Sequence, residues 1–375
     1  MAKLPWAGSE ELWFLAAEHL RKRGSRVTVS FPAMRGRAEQ LNRLSDHDIE
    51  VRPFGARKAL VRRLAKSFFV FLGGRIGTGE IPFPRPRVAD LGEFVLVSQG
   101  AILDGLMWLE FLEEQKIPYA ILCQANLEAQ WPDDAIAARV RSAFGKARKV
   151  FFVSEENERL FRIQTGYELQ NTSQVWNPLQ PGTPADPLPW PQVNGDSLKL
   201  AMVGRVEPFA KGQDLVLEVL SMPKWKERSV KLTIYGNGPW ADTLKLIVGN
   251  RGLTMIEDGG YASPAEIWKT HHALLLPSRH EGKSLAMLEA LWLGRPVVAT
   301  RLAGAPEEVV DGENGFLCEA PSVALLDEVL ERAWKCRNDL PAMGERAAKR
   351  IRERMPEEPG VVLADEIAKL ASEAA

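Results

Sequence analysis

The stretch Ala273-Leu-Leu-Leu-Pro277-Ser-Arg-His-Glu281-Gly-Lys-Ser-Leu-Ala-Met-Leu-Glu289-Ala-Leu-Trp-Leu-Gly294-Arg-Pro-Val-Val-Ala-Thr300 decides how this chain folds. An apolar run, a polar loop, a helical stretch closed by Gly294 and a second apolar run at 296–299 make one strand–helix–strand unit. Short runs that are apolar at nearly every position belong to parallel strands buried on both faces, because the connecting helices cover the sheet. The same alternation extends upstream through runs at 198–203, 230–235 and 254–257, so the second half is expected to be a doubly wound α/β domain. The first half repeats the theme less cleanly, with candidate strands at 27–31, 94–97, 119–123 and 150–153. Between the halves, residues 177–191 are too rich in proline for a helix or a central strand to persist. The expected layout is an N-terminal domain over 1–180 and a C-terminal domain over 181–359. A breaker at Met355-Pro-Glu-Glu-Pro359 precedes a helix over 360–375 that is expected to cross back to the first domain.

Composition narrows the function. Forty-eight basic and 49 acidic residues leave a net charge of −1, which argues against a surface built to hold nucleic acid, so no nucleic-acid partner is expected. No apolar run in the sequence approaches the roughly 20 residues that span a bilayer. The opening Trp6-Ala-Gly-Ser-Glu-Glu-Leu-Trp13 carries acids where a signal peptide is apolar, and a cytoplasmic location is expected. Cys123, Cys318 and Cys336 are odd in number and widely spaced, which reads as reduced, structural thiols rather than metal ligands.

Open α/β sheets bind ligands beyond the carboxyl ends of their strands. After the first strand of the second half stand Gly204-Arg205 and Lys211-Gly212, two cations six residues apart beside a glycine turn. A planar guanidinium fork with a mobile ammonium suits a diphosphate, although taken alone the pair reads as solvated surface charge. Gly236-Asn-Gly-Pro239 follows the second strand, where Gly236 and Gly238 either let backbone approach a ligand or make an ordinary turn. Glu281 and Glu289 are separated by seven residues, the first in a loop and the second about two turns further on. One can hold sugar hydroxyls while the other reaches a ribose, with the helix start at Lys283 to Leu285 offering backbone N–H groups to the phosphates between. Glu289 lies within the apolar run 285–292, where burying an unpartnered carboxylate is costly, so it needs a polar partner.

With these residues in view, 198–320 resembles the donor-binding domain of the family 4 retaining glycosyltransferases. The likeness is carried by the Gly-Arg pair, the Lys-Gly, the Gly-Asn-Gly-Pro turn, the glutamate pair and Ala303-Gly-Ala-Pro-Glu-Glu-Val-Val-Asp-Gly-Glu-Asn-Gly-Phe316. The resemblance implies an α/β GT-B fold, two doubly wound Rossmann-like domains with a crevice between them. It further implies that Arg205 and Lys211 bind the donor diphosphate and, with Glu281 on the transferred sugar, carry catalysis, while Glu289 binds the ribose. Gly8, Gly204, Gly236, Gly238, Gly282, Ser284 and Leu285 would line the donor, and Tyr261, within 259–262, would lie near the base. Where the family often has Glu-Gly-Phe-Gly, this chain has Glu281-Gly-Lys-Ser284, so Lys283 either adds a cation near the phosphates or points outward.

The first half resembles the family's acceptor domain more loosely, through Trp6 to Trp13, Ser98-Gln-Gly100 and Asn177-Pro178. The Gly8-Ser9 turn is expected to open a helix ending at Gly24. In the family a strand precedes this turn, whereas here only Met1 to Pro5 do, so the first domain is expected to lack its first strand. Either the start is trimmed or another segment covers that position. A histidine common at an acceptor-domain strand end is replaced by Gln124-Ala-Asn126. Retaining transfer in which the departing phosphate takes the nucleophile's proton does not require that base. Ser9, Asp104, Gln124 and Asn126 are the acceptor-side candidates, with loop capping as the alternative for the last three.

Arg57, Lys58, Arg62, Arg63, Lys66 and Arg75 stand without an acid beside the apolar 68–72. They read either as a peripheral contact with an anionic membrane surface or as a solvated helix before a buried strand. The sequence as a whole reads as a retaining hexosyltransferase that needs neither cofactor nor metal. It would move sugar from a nucleotide diphosphate sugar to a glycan or lipid-linked acceptor, in surface polysaccharide or glycolipid synthesis. The alternatives are a sugar-nucleotide epimerase of the same fold, which wants acid/base groups in the crevice, or a catalytically inactive sugar-nucleotide-binding protein. The five histidines, His19, His47, His271, His272 and His280, offer no convincing acceptor-side base.

Overall fold

The computed structural model describes residues 8–30, 38–52, 88, 91–192 and 197–374. The basic stretch from Arg57 to Arg75 and the residues before Gly8 lie outside the described residues.

The C-terminal domain is built on a parallel sheet of six strands in the order β12-β11-β10-β7-β8-β9. These are β7 (Leu198–Val203), β8 (Val230–Tyr235), β9 (Ile256–Gly260), β10 (Ala273–Leu276), β11 (Val297–Thr300) and β12 (Gly315–Cys318). Successive strand residues point to opposite faces. Leu198, Leu200 and Met202 therefore join Leu275 and the helices Gln213–Leu220 and Val323–Lys335 on one side. Ala201, Leu274 and Leu276 pack with the helices Leu285–Trp292 and Leu340–Arg354 on the other. Two buried faces explain why β10 shows no polar residue: all four of its positions are buried.

The N-terminal domain carries a parallel four-stranded sheet, β3 (Val95–Gln99), β4 (Tyr119–Cys123), β5 (Lys149–Phe152) and β6 (Thr172–Gln174). Ile121 and Cys123 face one cluster, with Leu109 and Phe144. Ala120 and Leu122 face another, made by Leu12 and Ala16 of the helix Gly8–Lys22 with Leu363, Ala364 and Leu370 of the helix Pro359–Ala374. The last helix of the chain thus covers the first domain's sheet.

Several expectations shift. The run at 27–31 contributes only β1 (Thr28–Val29), and it pairs with β2 (Glu50–Val51) instead of joining the larger sheet. The third strand of the C-terminal sheet begins at Ile256 rather than Thr254, because a turn closed by the Ile256 N–H on the Leu253 carbonyl occupies the residues before it. The helix after Glu281 starts at Leu285, which puts Glu289 one turn in rather than two.

Candidate active site

The carboxyl ends of β7, β8 and β10 converge on one loop cluster. The chain must pass so closely there that a side chain would not fit: a Cβ on Gly236, whose φ is +121°, would stand 2.1 Å from the Gly204 carbonyl oxygen. The Val206 N–H donates to the Asn237 carbonyl at 3.0 Å, fastening the two turns together. The loop after β10 is fastened in turn. Arg279 donates to both carboxylate oxygens of Asp214 at 2.8 and 2.7 Å and to the Pro208 carbonyl at 2.9 Å, and its backbone N–H donates to Ala210 at 2.8 Å.

These ties bring Lys211 and Glu281 together. The Lys211 Nζ lies 2.6 Å from Glu281 Oε1, and that oxygen also accepts from the Ser278 hydroxyl at 2.8 Å. Arg205 pairs with Glu207 at 2.6 Å, yet its Nε donor is buried without a hydrogen-bond partner among the described residues. A buried guanidinium N–H left unsatisfied is costly, and an incoming oxygen ligand would satisfy it. The helix Leu285–Trp292 has Ser284 at its N-cap with no side-chain cap, so its first backbone N–H groups are not taken up by that hydroxyl. Ser278, Glu281, Gly282 and Ser284 also line a cavity of about 10 Å³, the size of one water, together with Thr300, whose buried hydroxyl has no partner among the described residues.

A larger cavity, about 430 Å³, is lined by Gly236, Asn237, Gly260 and Tyr261 at the ends of β8 and β9, and by Asp242, Lys245 and Asp258. Tyr261 is 82% exposed, a ring free to be covered.

Glu289 is brought to neither cavity. It is 2% exposed, one carboxylate oxygen has no partner among the described residues, and the polar group it meets is the backbone N–H of Gln180 in the linker. Burial pushes its carboxyl up from 4.5 to about 8. Lys283 fits neither expectation. Its side chain is buried among Glu307, Glu308 and Trp176, whose two carboxylates and aromatic face offset the hydration it loses.

The N-terminal domain closes over this cluster. A Cβ on Gly282 would stand 1.8 Å from the Gln124 carbonyl oxygen, and one on Gly8 would meet Leu285 at 2.0 Å. Both glycines thus mark where the two domains touch. On this wall Asp104 accepts the Ala101 N–H at 2.9 Å, while Asn126 accepts from the Leu127 N–H at 2.9 Å and donates to the Asn157 carbonyl at 3.4 Å. Ser9 lies in the first turn of the helix Gly8–Lys22. Three of the histidines are held elsewhere or at the rim. His272 accepts from the Lys199 N–H and stacks on Trp190, His271 contacts Thr233 and Ile267, and His280 meets the exposed Phe209 edge-on.

Sequence reasoning missed Ser278, Asp214 and the Glu307–Glu308 pair. An acid three residues after a serine in a loop, and two adjacent glutamates in an otherwise apolar surround, were the available signals.

Residues 190–350 match the family model described as glycosyl transferases group 1. The chain is 32% identical over 140 residues to a GDP-mannose-dependent alpha-(1-6)-phosphatidylinositol monomannoside mannosyltransferase of Mycolicibacterium smegmatis, covering 34% of this chain and 36% of that enzyme. It is 29% identical over 133 residues to the poly(ribitol-phosphate) alpha-N-acetylglucosaminyltransferase of Staphylococcus aureus, covering 34% and 27%. The matches therefore span about a third of these curated relatives' length. Solved structures align over nearly the whole chain. A glycosyltransferase from Rickettsia africae has a TM-score of 0.69 at 14% identity, covering 98% of this chain and 97% of that one. The Anabaena protein HepE in complex with UDP-glucose has a TM-score of 0.68 at 16% identity, covering 100% and 98%. The fold is GT-B, two Rossmann-like domains. Residues 190–350 are thus similar to the group 1 glycosyltransferases, whose family model they match.

Proposed function

We propose that this protein is a retaining, metal-independent glycosyltransferase that moves a hexose from a nucleotide diphosphate sugar to a glycan or lipid-linked acceptor, in surface polysaccharide or glycolipid synthesis. The observation that carries the reading is the pairing of Lys211 with the Glu281 carboxylate beside the uncapped helix start at Ser284, with Arg205 on the loop after the neighbouring strand β7. Both cations and the helix start lie at the carboxyl ends of the strands, where a departing diphosphate would gather negative charge. Electrostatic stabilisation of a leaving group often lowers the barrier more than any other effect in such catalysis.

In this mechanism Arg205 and Lys211 hold the diphosphate, and Glu281, already accepting two hydrogen bonds on one oxygen, orients the sugar's hydroxyls. The acceptor hydroxyl attacks on the face the leaving group departs from, and the departing phosphate takes its proton. The relatives named for GDP-mannose and the UDP-glucose complex of HepE support a nucleotide-sugar donor. Arg57, Lys58, Arg62, Arg63 and Lys66 are the proposed contact with a membrane from its cytoplasmic side, and their charge pattern is what supports it.

A thermal-shift panel of UDP-, GDP- and ADP-sugars tests the donor. A ligand at 100 times its dissociation constant adds about 2.7 kcal/mol of stability. One base class should raise the melting temperature clearly above the others, and proton NMR of the product should show the donor's anomeric configuration kept. A product of inverted configuration would refute retention.

A further inference from the structure

Lys283 has no part in the reaction proposed above, yet it is among the most tightly held charges of the crevice. Its side chain is 4% exposed, with Nζ 3.0 Å from a Glu307 oxygen, 3.0 Å from a Glu308 oxygen and 3.8 Å from the centroid of the Trp176 ring. Glu308 is paired a second time, by Arg354 at 3.0 Å, so two cations face two carboxylates. An ammonium taken out of water persists only where partners compensate its lost hydration, and here two carboxylates and an aromatic face do so.

The partners belong to three parts of the molecule. Glu307 and Glu308 end the short C-terminal-domain helix Ala305–Glu308. Trp176 lies two residues after β6, at the entry to the linker. The Glu156 N–H, in the first turn of the N-terminal-domain helix Glu155–Thr165, donates to Glu307 at 3.3 Å. The backbone of the same turn is held as well: the Asn177 side chain donates to the Lys283 carbonyl at 3.2 Å, and the Gly304 N–H to the Gly282 carbonyl at 2.9 Å. Separating the domains would pull Glu156 from Glu307 and Trp176 from Lys283, and would wet the cluster.

We infer that Lys283 is a positioning residue, whose ion cluster with Glu307 and Glu308 latches the N-terminal domain and the linker onto the turn Gly282–Ser284. That turn leads into the helix start whose N–H groups face the departing diphosphate, so the latch couples domain closure to the placement of those groups. The inference rests on the transfer reading for its effect on turnover, but not for its effect on shape.

The test uses the full chain with Lys283→Met and, separately, Glu307→Gln. It reads small-angle scattering, calorimetric affinity for UDP and GDP, and turnover at saturating donor. The expected result is a larger radius of gyration than wild type, a turnover reduced at least tenfold, and a nucleoside diphosphate affinity changed less than threefold. A merely structural lysine would lower the melting temperature without that split between turnover and affinity. Should Lys283→Met fail to fold, Glu307→Gln carries the test, since it keeps the shape and an acceptor for the Glu156 N–H. Folded variants with wild-type scattering and turnover overturn the latch, as does a parallel fall in affinity and turnover at unchanged scattering. A wild-type protein that transfers no sugar sinks the transfer reading alone, and the scattering comparison still decides the latch.

Discussion

The two walls of the crevice are the ends of similar parallel sheets, yet they present opposite chemistry. On the C-terminal wall, Lys211 and Glu281 pair with each other on segments fastened by Arg279 and Asp214, and the Arg205 Nε is buried without a partner among the described residues, which a ligand could supply. On the N-terminal wall, Asp104 and Asn126 satisfy backbone groups of their own loops. The difference teaches that charge recognition is built into one domain before any ligand arrives, while the other contributes shape and closure through Gly8 and Gly282. Substitutions on the first wall should therefore cost function, and those on the second should cost mainly stability.

The largest effect is expected at Lys211. Removing one donor to a developing oxyanion costs about 100-fold or more in turnover. Lys211→Ala should therefore lower the turnover number more than it weakens donor affinity, read by steady-state kinetics beside calorimetry. Arg205→Lys should also fall short, because a point charge does not reproduce a planar fork. Normal turnover for Lys211→Ala at saturating donor would leave both cations as binding residues only.

Glu289 sharpens the contrast from within the charged wall. Its native carboxyl keeps a proton up to about pH 8, whereas the unfolded chain releases it near 4.5. The stability this group allows is therefore complete below pH 4.5 and falls as the pH climbs through 8. At about 1.4 kcal/mol per pH unit the effect is at most several kcal/mol. Glu289→Gln, which does not ionise, should gain on wild type between pH 5 and pH 8 in denaturant titrations. Equal pH profiles for the two proteins would show that the carboxyl is not buried as described.

The smallest effect is expected on the opposite wall. Asp104→Asn keeps an acceptor for the Ala101 N–H, weakened by the lost charge, and should cost about 1 kcal/mol of stability and less than threefold in transfer. A hundredfold loss of transfer in a folded Asp104→Asn protein would break the comparison and make that residue an acceptor ligand.

Legibility in the sequence follows burial. The strands of the C-terminal sheet could be read because both faces are covered, which leaves runs such as Ala273–Leu276 without polar interruption. Strand β6, Thr172–Gln174, was invisible, since a short edge strand of polar residues carries no periodic signal. Arg205, Lys211 and Glu281 stand out in the sequence because they lie in the segments that follow strand ends, and the structure pairs Lys211 with Glu281. The surroundings of Glu289 and Lys283 were not. Local pattern showed that Glu289 needs a partner, but the Gln180 backbone and the Glu307–Glu308 pair come from the linker and from a helix 24 residues further on, and only packing brings them there.

The central claim is that the C-terminal wall binds a nucleoside diphosphate with its own cations. Calorimetric titration of the protein with UDP, GDP and ADP in buffer containing EDTA tests it most directly. The expected result is saturable binding of one of the three, weakened at least tenfold in Arg205→Lys and Lys211→Ala. Heat that appears only after a divalent cation is added, or binding that survives both substitutions unchanged, would contradict it.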